Sequence, residues 1–116
     1  MNKFNVPAFL VNTGWVGASA ESGAKRISLP ITRKIIYSIL DGTINNSSFE
    51  VDPYFGVQVP LKLNEIDSSI LIPSNAWKSK KDYIKTAENL VEKFQKNFAE
   101  YNIDDEKIEN AGPSKK

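Results

Sequence analysis

The sequence contains neither cysteine nor histidine. Without cysteine there is no disulfide, no thiolate metal ligand and no cysteine nucleophile. Without histidine the chain also lacks the commonest general base near neutral pH and the commonest transition-metal ligand, so any chemistry it performs alone falls to carboxylates, lysines and hydroxyls. An excess of charge of one sign is missing as well: 15 basic residues stand against 14 acidic ones, a net charge of +1. That is too small to neutralise a phosphate backbone, so nucleic acid is not an expected partner. Long hydrophobic runs are absent too. The apolar stretch near the N-terminus, Ala8 to Val11, stops at Asn12 and is too short for a signal peptide core or a membrane span. No membrane partner is expected, and the expected location is the cytoplasm.

What is present suits a single soluble unit. The 116 residues are 41% hydrophobic and 25% charged, within the range of ordinary globular proteins. A domain of this size that folded alone would bury roughly two thirds of its unfolded surface. No repeat of fixed period divides the chain, and the small-residue stretch from Ala18 to Ala24 and the polar end from Gly112 are its simplest segments.

Local patterns then place the elements. Ala8 to Val11, bounded by Pro7 and by Asn12, Thr13 and Gly14, predicts a buried strand of a mixed sheet. Gly17 to Gly23 predicts a mobile loop between that strand and a helix, a common place for a ligand. The helix is expected to open near Ser28 or Leu29, with Pro30 in its first turn, and to stop at Gly42. Ile31, Ile35, Ile36, Ile39 and Leu40 share its apolar face. After a turn at Asn45 to Ser48, the run from Phe49 to Leu63 is broken by Pro53, Gly56 and Pro60 and predicts short edge strands. Ser69 to Trp77 reads as a further extended piece. A long helix is predicted from about Lys80 to Tyr101, where Ser79 and Asp82 have the spacing of a capping box. Its stripe of Tyr83, Ala87, Leu90, Val91, Phe94, Phe98 and Tyr101 is expected to face a core.

The segment from Gly17 to Arg26 superficially resembles a phosphate-binding P-loop, but the spacing fails. Five residues separate Gly17 from Gly23, Ala24 precedes Lys25, and Arg26 stands where a magnesium-binding hydroxyl is required. Lys25 and Arg26 have two readings: solvated charges in a loop, or a guanidinium lying flat on an adenine ring by cation–π attraction. In the second reading Ile27 adds an apolar face and Thr32 a small donor and acceptor for the base edge.

Taken together, LVNTGW at Leu10 to Trp15, KRISLPITR at Lys25 to Arg33, ILDG at Ile39 to Gly42, FEVDPYFGVQVP at Phe49 to Pro60 and PSNAW at Pro73 to Trp77 form an ordered set. They resemble the ATP-dependent phosphoenolpyruvate carboxykinases over about Pro7 to Tyr101. The resemblance implies an α/β (mixed α+β) fold, the C-terminal nucleotide-binding subdomain of that family, incomplete as an independent domain. Residues 1–103 then belong to the adenine side of the catalytic domain, and residues 104–116 to a polar, flexible tail. The family's adenine-site positions map onto Arg26, Ile27 and Thr32 as ATP-binding residues. One departure is visible: SGAKRI stands at Ser22 to Ile27, with a slightly longer loop, where the family has a glycine-rich GxGKRI approach.

In that family, oxaloacetate and ATP give phosphoenolpyruvate, carbon dioxide and ADP, a step of gluconeogenesis. Mn2+ and Mg2+ serve the complete enzyme, through ligands upstream of the matched region. The resemblance therefore implies a chain with no catalytic residue and no metal ligand of its own, inactive alone. Met1 is expected to be an internal methionine of a longer protein, and an N-terminal catalytic portion the expected partner. The alternatives are a stand-alone module that binds a nucleotide or a protein without catalysis, and a remnant without function.

Overall fold

The computed structural model describes residues 5–115. Among them lie two small antiparallel ribbons and five helices, a mixed α+β arrangement as the sequence predicts. The first ten described residues form no strand. The strand expected over Ala8 to Val11 has no neighbour to pair with, and Leu10 is 91% exposed. A lone extended segment can satisfy its backbone groups only with water, so apolar composition by itself does not make it a strand.

Pairing begins instead at β1 (Trp15–Val16), which runs antiparallel to β2 (Lys25–Arg26), with Trp15 opposite Arg26 and Val16 opposite Lys25. The glycine-bounded loop is therefore the tip of a hairpin, not a strand-to-helix connection. It coils into one 3₁₀ turn, Ala20–Ser22, closed by Ser22 N–H donating to the Ser19 carbonyl at 3.0 Å. Gly17 has φ of 84°, and a Cβ there would stand 2.8 Å from the carbonyl oxygen of Ala76. Only glycine allows this close approach of the hairpin to the later chain.

The helix α1 (Leu29–Leu40) follows, with Pro30 in its first turn and Gly42 just past its end at φ of 80°. Both ends match the expected signals: proline loses nothing where the N–H is unpaired, and glycine takes the left-handed turn that closes a helix. Asp41 finishes the turn by accepting from the N–H and hydroxyl of Thr43, at 2.9 and 2.7 Å. Those bonds, the hydroxyl one first, hold its carboxyl below the usual range.

Ile31, Ile35 and Ile39 pack against buried Ile44, Leu63 and Ile66, together with Ile70 and Leu71. Two residues expected on that face are turned out of it. Ile36 is exposed and Leu40 is 76% exposed, because α1 touches its neighbours along one narrow strip and nothing described covers its flank.

The ribbon of β3 (Phe49–Val51) and β4 (Gln58–Pro60) is the short edge pair that its prolines predict. Asp52 is buried at its turn, where its carboxylate accepts from the N–H groups of Tyr54 and Phe55 at 2.9 and 2.8 Å.

The extended piece expected from Ser69 to Trp77 is helical: α2 (Ser68–Leu71) and α3 (Pro73–Ala76). Asp67 caps α2 by accepting from the Ser69 N–H at 2.8 Å, and Pro73 opens α3. A short apolar run does not distinguish strand from helix, and here the cap and the proline decide.

The last large element is α4 (Lys80–Ala99), with the Ser79 hydroxyl accepting from the Asp82 N–H at 3.2 Å. Ala87 and Val91 form a second core with Tyr54, flanked by Phe55 and Tyr83. Tyr83 meets Tyr54 edge-on at 6.2 Å and Trp77 at 5.9 Å. The expected stripe is thus only partly inward: Leu90, Phe94 and Tyr101 stay exposed.

Beyond it, α5 (Glu106–Asn110) is capped by Asp105. The chain then returns to the second core, where the Ser114 N–H donates to the Tyr54 carbonyl at 2.8 Å and Gln95 to the Pro113 carbonyl at 2.9 Å. Among the described residues no helix is long and apolar enough to cross a membrane.

Candidate nucleotide-base site

The three residues singled out in the sequence lie along one short path, from the second strand of the hairpin into α1. Arg26 is the last residue of β2 and is exposed, its guanidinium carbon 5.6 Å from the centre of the Trp15 ring. That separation is within the reach of cation–π attraction. The strand register produces it, since directly opposed residues of an antiparallel pair project to the same side.

Ile27 is buried, and its N–H donates to the Gly14 carbonyl at 2.9 Å, which extends the hairpin by one bond. Thr32 is buried in the first turn of α1, its N–H on the Ser28 carbonyl at 3.0 Å.

The three positions therefore differ in kind. Arg26 faces solvent, where a ligand can reach it. Ile27 and Thr32 are enclosed, as packing of the strand-to-helix corner alone would enclose them. What reasoning from the sequence missed is Trp15: it stands in the LVNTGW motif, but its partnership with Arg26 depends on the hairpin register, which no local pattern announced.

The approach to Arg26 is fixed by the same few residues. Asn12 accepts from the Gly14 N–H at 2.9 Å and donates to the Trp15 carbonyl at 3.3 Å, clamping the entry to β1. The loop beyond it bonds to itself, with the Ser19 and Ser22 hydroxyls 2.6 Å apart.

Two hollows lie elsewhere. One, of about 280 Å³, runs between the β3–β4 ribbon and the start of α4, bordered by Glu50, Asp52, Tyr54, Pro73, Lys80 and Tyr83. The Tyr83 hydroxyl is pushed above its usual range by burial, reinforced by the nearby Asp52 carboxylate and by Tyr54. The other lies between α1 and the segment from Leu61 to Ile66, where Lys34 pairs with Glu65 at 2.7 Å. The Lys34 hydrogen bond holds the Glu65 carboxyl below its usual range, with the lysine's charge adding to it. Neither hollow includes Arg26, Ile27 or Thr32.

Among the described residues no three acidic side chains gather into a group that could hold a metal ion. The described residues thus offer no ligand set that fits the Mn2+ and Mg2+ that the resemblance implies for the complete enzyme.

Comparison with known proteins bears on the whole path. A family model described as phosphoenolpyruvate carboxykinase matches residues 1–69, which include the hairpin and α1. A phosphoenolpyruvate carboxykinase (ATP) from Caldanaerobacter subterraneus is 42% identical over 113 residues, covering 97% of this chain and 22% of that protein. One from Leptospira biflexa is 48% identical over 101 residues, 87% of this chain and 19% of that protein. One from Bradyrhizobium diazoefficiens is 42% identical over 113 residues, 97% of this chain and 21% of that protein. The chain spans about a fifth of the length of these curated relatives. With a family model covering more than half of it and relatives matching nearly all of it, the chain belongs to the phosphoenolpyruvate carboxykinase family.

Proposed function

We propose that this chain provides the adenine side of the ATP site in an ATP-dependent phosphoenolpyruvate carboxykinase. In this reading Arg26 lies against the base, Ile27 backs the contact and Thr32 meets the base edge. The observation that carries the proposal is the exposed guanidinium of Arg26, ordered on the hairpin inside the segment matched by the family model. A planar, permanently charged group beside an open surface is suited to stacking on a purine.

The reaction proposed for the complete enzyme is that of its relatives as the resemblance gives it. Oxaloacetate loses carbon dioxide by cleavage of a carbon–carbon bond, and the resulting enolate oxygen takes the γ-phosphoryl group of ATP, releasing ADP and phosphoenolpyruvate. Divalent metal ions, held by residues outside this chain, would supply charge stabilisation for that reaction. This chain's own part is to bind and orient. By holding the base, it fixes the position of the phosphates at the other end of the nucleotide, where entropy lost in binding is not lost again in reaction.

The proposed partners are ATP and a catalytic portion that binds oxaloacetate, and the proposed setting is the cytoplasm. The proposal also accounts for apolar surface that the described fold leaves open. Leu29, Ile36, Tyr37 and Leu40 lie along the flank of α1, all exposed, and a helix apolar on more than one side belongs inside a larger body. These residues are proposed to pack on the catalytic portion.

The test is a chimera in which this chain replaces the matching segment of the Caldanaerobacter relative. The chimera is expected to form phosphoenolpyruvate from oxaloacetate and ATP, while the 116-residue chain alone forms none. Turnover by the chain alone would contradict the proposal.

A further inference from the structure

The geometry points to Trp15 as the positioning residue of the base site, the side chain that holds the Arg26 guanidinium ready to receive a purine on its open face. This inference rests on the base-site reading of Arg26 given above.

Arg26 is a long side chain at the end of a two-residue strand, and such a chain has many rotamers to lose on stacking. The two ion pairs formed among the described residues, Lys34 with Glu65 and Lys115 with Glu92, both leave it out. The contact that orders its head is the Trp15 ring, at 5.6 Å. Trp15 is itself 49% exposed, so the pair lies open at the surface and contributes little to a core.

The backbone that carries the ring, by contrast, is held on several sides. Asn12 bonds to its carbonyl, Gly14 bonds to both Asn12 and Ile27, and Gly17 seats the strand against the Ala76 carbonyl. An indole on that anchored backbone, behind a flexible guanidinium, supplies one wall of a stack whose other wall is the ligand. A base entering there meets a guanidinium already ordered, and less conformational freedom is lost on binding. The ligand class is a purine nucleotide, recognised by its flat π-surface.

The experiment uses the assembled chimera described above, in four forms: unsubstituted, Trp15→Ala, Trp15→Phe and Arg26→Ala. For each, steady-state constants for ATP and oxaloacetate are measured, with ATP affinity by calorimetry as a readout independent of turnover. Trp15→Ala is expected to raise the KM and Kd for ATP by about three- to thirtyfold, the range open to a cation–π contact. The KM for oxaloacetate should move by less than a factor of about two, and kcat at saturating ATP far less than the ATP constants. Trp15→Phe, which keeps an aromatic wall, should recover most of the loss.

If Trp15→Ala matches the unsubstituted chimera in ATP affinity while Arg26→Ala weakens it, the positioning role is overturned and the base site stands. If neither substitution changes ATP affinity, both readings fall. Equal losses for ATP and oxaloacetate, or a loss that Trp15→Phe does not recover, would mark Trp15 as a support of the hairpin only and overturn the inference.

Discussion

Two regions of the chain, α4 with the β3–β4 turn beneath it and the β1–β2 hairpin running into α1, dispose their large side chains in opposite ways. In the first, Val91 is fully enclosed and Ala87 and Tyr54 are buried around it, joined by edge-on aromatic contacts. In the second, Trp15 and Arg26 face each other at the surface, and α1 presents Leu29, at 71% exposure, beyond its packed strip. The α4 region is explained by what it touches within the chain. The hairpin region packs inward only along one strip of α1, and its open side is proposed to serve something outside it, a ligand at Arg26 and a larger body at Leu29.

Substitutions should separate the two regions cleanly. Val91→Asp places a charge where no side-chain surface is exposed and should cost about 3 kcal/mol or more of stability, with loss of a cooperative urea transition. A shift no larger than that of a surface substitution would show that α4 is not a core element. Ser79→Ala removes the cap of α4 and should cost about 1 kcal/mol, read from the urea midpoint at unchanged slope. Arg26→Ala should change the same midpoint by no more than about 0.5 kcal/mol, as befits an exposed residue outside both cores. A large loss there would move Arg26 from a ligand role to a structural one.

Acid gives the smallest effect. Asp41, Glu65 and Asp67 all have carboxyls held below their usual range: Asp41 by the Thr43 hydroxyl, Glu65 by the Lys34 hydrogen bond and Asp67 by the Ser69 N–H. A group whose folded pKa is depressed contributes fully above its unfolded pKa and loses that contribution as pH falls through the folded value. Thermal melts should therefore fall slightly with acidification through the carboxylate range, and Asp67→Asn should flatten that fall. A melting temperature that rose on acidification would contradict the assignment.

Much of this architecture was legible in the sequence, where local chemistry decides local structure. Pro30 and Gly42 bounded α1, Ser79 and Asp82 opened α4, and the prolines of the Phe49 to Leu63 run confined it to a short ribbon. Local pattern misleads where a partner decides. Ala8 to Val11 had the composition of a strand but no strand beside it, and Ser69 to Trp77 was apolar and short, so that Asp67 and Pro73 settled it as two helical turns. Helical spacing puts Ile36 and Leu40 on the apolar face of α1, yet both are exposed, since spacing gives a face and not its neighbour. At the candidate site, the family pattern in KRISLPITR points to Arg26, Ile27 and Thr32. The role of Trp15 waited on a register, Trp15 opposite Arg26, that follows from the hairpin as a whole.

The most direct test of the base site is the ratio of two Michaelis constants in the assembled chimera before and after Arg26→Ala. The proposed role predicts a rise in the KM for ATP of about tenfold, with the KM for oxaloacetate held within a factor of about two. Equal rises for both substrates, or no rise for ATP, would contradict it.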